Sequence, residues 1–390
     1  MELASFQSTP SRSAQDISAS VERLGGMVQC ISSRENIIYC IDALRCNAEE
    51  ALDLLADCVV NPLYTPVELD EAKAVISLVQ DSLPADQASR DALSIAAYKN
   101  SPMGNFHFCS ENAAAKLTSE MIHNYRKKHF VASNIVVAGA GIEHDIFLDI
   151  VTRKFASVNK SMTIDNRKPS AFTGGQYLNQ RELKEPYVKI AIGFEYCKGW
   201  NDSQLVTGIV LQSLLGGGSS FSAGGPGKGM YTRLYREVLN QFHWVESAES
   251  IISVSDDSGM IAIDGACAAE NVDPMIQVIV DQFVKLSKHL VMEEDLMRAK
   301  NMAKSMMLMQ LESRLVVCED IARQYATFQH RKNLTETCTK IDSVTADDIL
   351  KLAQSMLSYP PAISGVGASL DLFPPYDIIH RYIQSVIQKK

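Results

Sequence analysis

The chain has 390 residues, 46% of them hydrophobic and 21% charged, and a net charge of −9 at neutral pH. This composition is typical of a globular protein, and the length allows two domains of ordinary size. The acidic balance argues against nucleic-acid binding, which needs basic patches, and no apolar run approaches the roughly 20 residues that cross a bilayer. The nine cysteines include no C-x-x-C pair, so we expect buried free thiols in a reducing compartment, and neither a disulfide framework nor a zinc site.

Hydrophobic periodicity and capping residues predict a mixture of helices and strands in the first half. In chain order we expect helix 13–25, strands 27–32 and 37–43, helices 46–60, 66–83, 86–98 and 118–129, strand 134–139 and helix 143–156. Strands interspersed with helices favour an α+β fold.

The second half shows the same kind of alternation. We expect strand 187–195, helices 201–215 and 229–240, strands 248–255 and 258–266, helices 271–288, 293–311, 315–327 and 345–357, and strand 361–366. Helix 293–311 contains Met302, Met306, Met307 and Met309, whose helical spacing favours a core helix over an adaptable binding surface.

Two segments repeat at an offset of 226 residues, measured from Gly139 to Gly365. In each segment a threonine N-cap (Thr118 or Thr345) precedes an acidic first turn, an amphipathic helix and a small strand that ends in G-x-G. Internal duplication of an α+β domain is the simplest explanation.

The repeat period predicts the domain organisation. We expect an N-terminal domain over 1–164, a linker over 165–185 and a C-terminal domain over 186–390. A first repeat of full length would begin about 60 residues before Met1, so the first domain is expected to lack its opening strands and helix.

The most informative feature is the glycine-rich segment 216–229, in which seven of fourteen residues are glycine. It does not have the spacing of a P-loop, because Ser222 stands at the first glycine and Gly229 follows Lys228 where serine or threonine is required. The dinucleotide-binding pattern also fails. A plain flexible linker is an alternative, but amphipathic sequence on both sides favours a long, mobile, substrate-handling loop within a domain.

The segment also carries a family resemblance. The string GGGSSFSAGGPGKGMYTRLYREVLNQFHW at 216–244 resembles the α-subunit family of the mitochondrial processing peptidases, non-catalytic members of the inverted-motif zinc peptidases of pitrilysin/insulinase type. The resemblance extends along nearly the whole chain, through the segments 12–26, 57–62, 101–104, 110–112, 311–314 and 319–324. It implies two homologous domains of the processing-peptidase/LuxS-like metallohydrolase type.

The same resemblance implies a function. Family members bind presequences of imported precursors, which a zinc-bearing β subunit then cleaves within a heterodimer that encloses a central cavity. A member would be located in the mitochondrial matrix, with association with the inner membrane left open.

The catalytic motif of the wider family is absent from this sequence. No H-x-x-E-H occurs among the eight histidines, and the resemblance places Glu2 at the motif's glutamate, Leu3 at its second histidine and Val79 at the third ligand. Leucine and valine cannot bind zinc. We therefore expect no catalytic residue, no metal and no cofactor in this chain, with zinc on the β partner.

The resemblance assigns presequence recognition to the glycine-rich segment. The candidate substrate-binding residues are Gly216, Gly217, Gly218, Ser219, Ser220, Phe221, Ser222, Gly224, Gly225, Gly227, Lys228 and Gly229. Candidate carboxylates for the arginines of a presequence are Glu246, Glu249, Asp256, Asp257, Glu293, Glu294 and Asp295. For each carboxylate, a solvated surface or a favourable helix N-terminus is the more ordinary interpretation.

Three alternatives stay open at this point. A structural core subunit of the respiratory cytochrome reductase complex shares the fold and also lacks zinc ligands, although the intact glycine-rich segment argues against it. An active zinc peptidase is disfavoured by Leu3 and Val79. An incomplete gene product would fold poorly, because missing strands leave a sheet edge unpaired.

Overall fold

The computed structural model describes residues 1–107, 109–161, 168–183, 186–220 and 229–388. The helices are α1 (Ala14–Arg23), α2 (Ala48–Val60), α3 (Pro66–Asp81), α4 (Ala85–Tyr98), α5 (Glu111–Ala115), α6 (Ser119–His129), α7 (His144–Lys154), α8 (Leu205–Leu215), α9 (Val272–Lys288), α10 (Glu293–Gln310), α11 (Arg314–Phe328), α12 (Leu334–Ser343), α13 (Ala346–Met356) and α14 (Tyr376–Gln388). The strands are β1 (Met27–Ser32), β2 (Ile37–Asp42), β3 (Gly175–Gln180), β4 (Val188–Cys197), β5 (Gly217–Ser219), β6 (Val245–Val254), β7 (Gly259–Cys267) and β8 (Ala362–Gly367).

The chain divides into two compact units that are discontinuous in sequence. Unit 1 consists of residues 1–82, 107–167 and 310–331, and unit 2 of residues 83–106, 168–309 and 332–390. Helix α4, from the first half of the chain, therefore belongs to unit 2, and α11, from the second half, belongs to unit 1. The domain boundaries expected at residues 164 and 185 stay a prediction.

Unit 2 is built on a six-stranded sheet with the strand order β3-β8-β4-β7-β6-β5. The β3–β8 pair is parallel and the other pairs are antiparallel. Every residue of β4, β7 and β8 is buried. Strands covered on both faces carry nearly continuous apolar sequence, and β4 and β7 have that character.

Helices cover both faces of this sheet. On one face Ile192 and Ile263 pack against α8, α9 and α13, and the rings of Phe194 and Phe283 meet edge to face with centroids 5.1 Å apart. On the other face Ala191 and the neighbouring small residues of the sheet pack against α4. Small side chains on this face let α4 approach the strands closely.

An ion cluster with a buried lysine–aspartate pair at its centre joins α4 to the sheet. The Nζ of Lys189 on β4 lies 3.1 Å from Oδ1 of Asp264 on β7 and 2.5 Å from Oδ1 of Asp86 in the first turn of α4. Ser89 on α4 donates to the other oxygen of Asp264. Burial by itself lowers the pKa of Lys189, but the facing Asp264 and Asp86 carboxylates raise it by more, so that the net shift is upward. We call these four residues the Lys189 cluster.

Unit 1 contains the antiparallel hairpin β1–β2 and a set of helices. Ile17 of α1 packs with Leu54 and Cys58 of α2, while Leu69 of α3 packs with Ile122 of α6. Thus α1 and α2, and likewise α3 and α6, bury their apolar faces against each other.

An ion network lies at the surface of unit 1. The guanidinium of Arg12 lies 2.5 Å from Asp53 Oδ2 and 2.7 Å from Asp57 Oδ2, both on α2. Lys154, at the end of α7, lies 2.6 Å from the other oxygen of Asp53. We call these four residues the Arg12 network; it ties α7 and the chain before α1 to α2.

Most of the elements expected from the sequence are present, and both repeated helix starts are confirmed. The hydroxyl of Thr118 accepts from the backbone N–H of Met121, and Thr345 forms a capping box with Asp348. The strand expected at 134–139 was wrong, because these residues pair with no other strand among the described residues. A strand needs a ladder partner, and within the described ranges β1 and β2 pair only with each other.

Other expectations need correction in detail. The sequence reasoning missed strand β3 and helices α5, α12 and α14. Helix 201–215 begins only at Leu205. The helix expected over 229–240 is a π-helical turn at Tyr235–Leu239, in which the N–H of Asn240 donates to the carbonyl of Tyr235, five residues earlier.

The methionine-rich helix was also predicted wrongly. Leu296, Ala299 and Ala303 form the buried face of α10, whereas Met306 is 48% and Met309 57% exposed. Small side chains occupy the contact because they let the helix approach its neighbours closely. Met306 and Met309 are therefore left at the surface, while Met302 and Met307 are half-buried.

All nine cysteines are free thiols, but only Cys58, Cys197 and Cys267 are buried, while Cys46 is exposed and the rest are half-buried. The expectation of buried thiols therefore holds for three positions. Among the described helices, none combines the length and the apolar character that crossing a membrane requires.

Candidate functional site: the anchored ends of a glycine-rich segment

The glycine-rich segment 216–229 begins where α8 ends. Of its predicted site residues the structure places Gly216, Gly217, Gly218, Ser219, Ser220 and Gly229. The other predicted residues, Phe221, Ser222, Gly224, Gly225, Gly227 and Lys228, lie outside the described residues. The site can therefore be built from the two ends of the segment.

The first glycines are required by close packing. Gly216 ends α8 with φ +58°, and a Cβ at this position would overlap the side chain of Thr232. Gly217 has φ +99°, and its Cβ would overlap the carbonyl oxygen of Ala248. Residues with a side chain rarely adopt these φ values, so both steric space and backbone conformation demand glycine.

The segment begins as an edge strand and not as a loop. Gly217, Gly218 and Ser219 form β5, which pairs with residues 247–249 of β6. The N–H of Ser220 donates to the carbonyl of Glu246 at 2.9 Å and continues this pairing by one residue. The expected loop thus starts several residues later than its glycine content suggested.

Two side chains from the far end of the segment hold the near end in place. The N–H of Gly217 donates to Oγ1 of Thr232 at 3.2 Å, and the hydroxyl of Tyr235 donates to the carbonyl of Ser219 at 3.4 Å. Both donor–acceptor pairs join residues before 221 to residues after 228. We call Thr232 and Tyr235 the clasp. Sequence reasoning missed them, because only their position after a glycine run distinguishes them.

The chain that follows the segment is fixed to two helices. Arg236 lies 3.0 Å from Asp295 at the start of α10, and Glu237 lies 3.0 Å from Lys285 of α9. Nε of Arg233 donates to the side-chain oxygen of Gln282 on α9 at 3.0 Å. The clasp residues therefore stand on a firmly held turn.

Most candidate carboxylates have partners within the chain. Asp295 binds Arg236 and Arg298, which fits the ordinary interpretation of a structural role. Asp257 accepts a hydrogen bond from the backbone N–H of Ser170 at 3.1 Å. These carboxylates stabilise turns and helix ends.

Glu249 is a candidate carboxylate next to the start of the segment. It lies directly opposite Gly217 in the β5–β6 ladder and 3.7 Å from Arg90 of α4. Burial raises the pKa of Glu249, and the neighbouring Asp264 carboxylate raises it further. The side chain is 36% exposed, so water reaches it next to the first glycines.

The positions that the resemblance aligns with the motif's glutamate, with its second histidine and with the third zinc ligand do not form a metal site. The carboxylate of Glu2 accepts hydrogen bonds from the N–H and hydroxyl of Ser32, Leu3 packs against an apolar cluster, and Val79 is half-buried on α3. Leucine and valine have no lone pair to donate. Throughout the part of the chain that the structure describes, no group of three or more His, Cys, Asp or Glu could hold a metal ion.

Comparison with known proteins agrees with this geometry. Residues 1–111 match the family described as "Insulinase (Peptidase family M16)", and residues 116–303 match "Peptidase M16 inactive domain". The chain is 34% identical to "Mitochondrial-processing peptidase subunit alpha" of Solanum tuberosum and 31% identical to the protein of the same name from Homo sapiens. Each alignment covers 99% of this chain and 76% of the relative.

A solved structure shares the fold. A chain of "Complex III2 from Candida albicans, Inz-5 bound" superposes with a TM-score of 0.81 at 19% identity, over 98% of this chain and 88% of that one. At this identity the likeness concerns the fold alone. The α+β fold with two M16 domains is thereby confirmed.

The fold and the sequence relatives together define the class. The chain belongs to peptidase family M16 and, within it, to the family of the mitochondrial-processing peptidase α subunits.

Proposed function

We propose that the chain is the non-catalytic, substrate-recognition subunit of a mitochondrial processing peptidase. It binds the presequences of imported precursors and presents them to a zinc-bearing β subunit, with which it forms a heterodimer in the mitochondrial matrix. The observation that carries the proposal is the glycine-rich segment 216–229, whose two ends are held by β5 and the clasp in a chain of this family.

The chemistry of the substrate suits such a segment. Presequences are amphipathic, rich in arginine and poor in acidic residues, and their sequences vary. Glycine backbone reaches conformations closed to other residues and can therefore adapt to different peptides. The net charge of −9 favours the approach of a basic peptide.

The division of labour between two subunits follows from the residues of this chain. Leu3 and Val79 cannot bind zinc, so hydrolysis by a metal-bound water has to take place on the partner. This chain contributes peptide binding, and it needs no cofactor of its own.

The test replaces residues 221–228 by two glycines and leaves β5, Gly229 and the clasp in place. The heterodimer with a β subunit is then assayed for cleavage of a presequence-bearing precursor, beside each subunit alone. We expect cleavage only in the wild-type mixture, and its loss in the variant mixture, because peptide capture needs the segment.

Size-exclusion chromatography provides the control. Since β5 and the clasp are intact, the variant should form the heterodimer as the wild type does. Unchanged cleavage by a heterodimer that contains the variant would overturn the proposal.

The alternative of a structural subunit of a respiratory complex rests on the fold likeness alone. Co-purification of the native chain with cytochromes, without a peptidase partner, would favour that alternative. The identity of 34% over 99% of the chain to a processing-peptidase α subunit favours the recognition role.

A further inference from the structure

We infer that one side of α10, formed by Met302, Met306 and Met309, binds the apolar face of an amphipathic presequence. We call these three residues the methionine flank. The inference rests on the proposed function and adds to it a surface for the apolar side chains of the substrate. All three methionines are described residues of unit 2.

The methionine flank follows from helical spacing. Met306 is four residues after Met302, and Met309 is three residues after Met306, so the three side chains lie on one side of α10. Met302 is half-buried, whereas Met306 and Met309 are 48% and 57% exposed. The flank extends about 10 Å along the helix axis, which matches two turns of a helical peptide that lies along it.

The methionine flank begins beside the described end of the glycine-rich segment. A Cβ on Gly229 would lie 3.6 Å from Cε and 3.8 Å from Sδ of Met302. Tyr231 is 74% exposed, and the guanidinium of Arg298, one turn before Met302, lies 5.9 Å from its ring centroid. The flank is therefore continuous with the candidate site, and Tyr231 adds an exposed aromatic side chain where the two meet.

Methionine suits a partner whose apolar side chains vary. Its side chain is unbranched and has three rotatable bonds, so it adapts to neighbours of different shapes and is frequent on surfaces that bind many sequences. Presequences share an amphipathic character but no fixed sequence. Neighbouring exposed apolar side chains on a folded protein mark a binding surface, since their burial against a partner is favourable.

The charges near the methionine flank favour a basic partner. Glu293 and Glu294 are exposed in the first turn of α10, and the side chain of Glu294 is 82% exposed and 3.9 Å from Arg298. Ion pairs of this kind at the surface are weak, so Glu294 can exchange Arg298 for an arginine of the peptide. An amphipathic peptide rich in arginine matches both these carboxylates and the apolar flank.

The other side of α10 provides an internal comparison. Met297 and Leu308 lie there, and they are 54% and 46% exposed. Between them on the same side, Lys304 forms an ion pair with Asp342 at 2.6 Å. Because this charged pair interrupts the apolar surface, the other side should not bind the peptide.

The test uses the full heterodimer and a presequence-bearing precursor. The double variant Met306→Gln/Met309→Gln keeps the length of both side chains and the helix propensity but makes them polar. We expect KM to rise about tenfold, as the lost burial of apolar surface predicts. The value of kcat should stay nearly unchanged, because hydrolysis takes place on the partner. Met306→Leu/Met309→Leu stays apolar and should keep KM within about threefold of the wild type.

The matched control is the double variant Met297→Gln/Leu308→Gln. It places two glutamines on the same helix at positions of similar exposure, but on the side away from the methionine flank. We expect its KM to equal that of the wild type. Thermal unfolding of every variant separates a loss of stability from a loss of binding.

A second precursor identifies the apolar face as the group that is bound. In this precursor the leucines of the presequence are replaced by alanine and the arginines are kept. Its KM should be raised with the wild-type chain, and Met306→Gln/Met309→Gln should raise it little further, because the two changes remove the same contact. Fully additive effects would overturn the inference.

The remaining outcomes separate the inference from the function on which it rests. An unchanged KM in Met306→Gln/Met309→Gln, or an equal rise in the control variant, would overturn the role of the methionine flank. Loss of the heterodimer in size-exclusion chromatography would assign the flank to the β subunit and would also overturn it. If replacing residues 221–228 leaves cleavage intact, the proposed function fails. If that replacement abolishes cleavage while the flank variant behaves as the wild type, only the inference about the flank is wrong.

Discussion

The Lys189 cluster of unit 2 and the Arg12 network of unit 1 perform the same task, since each ties helices to neighbouring chain through ion pairs. They differ in solvation. Asp264 in the cluster is 2% exposed and Lys189 11%, whereas Arg12 and Asp53 in the network are 26% and 32% exposed. Water can take over from a lost partner in the network, but it cannot reach Asp264.

The comparison shows that the structural context of an ion pair, more than its distance, decides its contribution. Buried charges lose their hydration, and their pairing has to offset that cost. At the surface, water screens the charges and competes for them. Substitutions of one partner should therefore have very different effects in the two places.

The largest loss of stability is expected for Lys189→Met. Removal of the ammonium leaves the Asp264 carboxylate buried without a cation, which destabilises proteins by about 3–5 kcal/mol. Urea unfolding of the purified chain measures the loss, and hydrogen exchange of α4 should show that this helix is released first.

Lys154→Met is the matched control for this variant. The same substitution at the surface removes a partner of Asp53 and should cost less than about 1 kcal/mol. Similar losses in both variants would contradict the role assigned to burial.

An intermediate loss of stability, which depends on pH, is expected for Asp57→Asn. Burial raises the pKa of Asp57, but hydrogen bonds from Ser11, Asn61 and Thr9 and from the Arg12 guanidinium lower it by more, so that it lies below its usual value in the folded chain. Loss of the charged acceptor should cost about 1–3 kcal/mol at pH 7.

The direction of the pH dependence follows from the lowered pKa. The stabilisation by Asp57 is complete above its unfolded pKa of about 3.9 and disappears as the pH falls through the lower folded value. The difference in unfolding free energy between wild type and Asp57→Asn should therefore shrink to zero in acid. A difference that does not decrease as the pH falls below the unfolded pKa would show that the carboxylate charge is not its source.

The smallest change in stability is expected at Ser364 on β8. Its buried hydroxyl has no hydrogen-bond partner among the described residues. Ser364→Ala removes an unsatisfied polar group and should be neutral or stabilise the chain by up to about 1 kcal/mol. Urea unfolding that shows a clear loss of stability would indicate a partner for this hydroxyl.

Much of the fold could be predicted from local sequence. The threonine caps at Thr118 and Thr345 and the apolar runs of β4 and β7 are local signals, and the corresponding elements are present. The sequences of β3 and β5 did not predict strands. Each pairs with a strand distant in sequence, so that the partner and not the propensity creates the strand.

The sequence predicted where the candidate site lies along the chain, but it did not predict which residues pack around it. The glycine content marked residues 216–229, yet it suggested mobility from the first glycine onward. Gly216 and Gly217 are instead packed against Thr232 and Ala248. The sequence near the two glycines does not indicate that these residues are their neighbours.

The sequence by itself determined the class of elements, the family and the absence of zinc ligands at Leu3 and Val79, because these depend on residue identity and on local periodicity. Only the tertiary structure decided that α4 packs on the sheet of unit 2, that Met306 and Met309 lie at the surface, and that Thr232 and Tyr235 form hydrogen bonds with Gly217 and Ser219 of β5. The physical reason is that close packing and hydrogen bonding between distant residues depend on which surfaces meet, and periodicity carries no information about the partner.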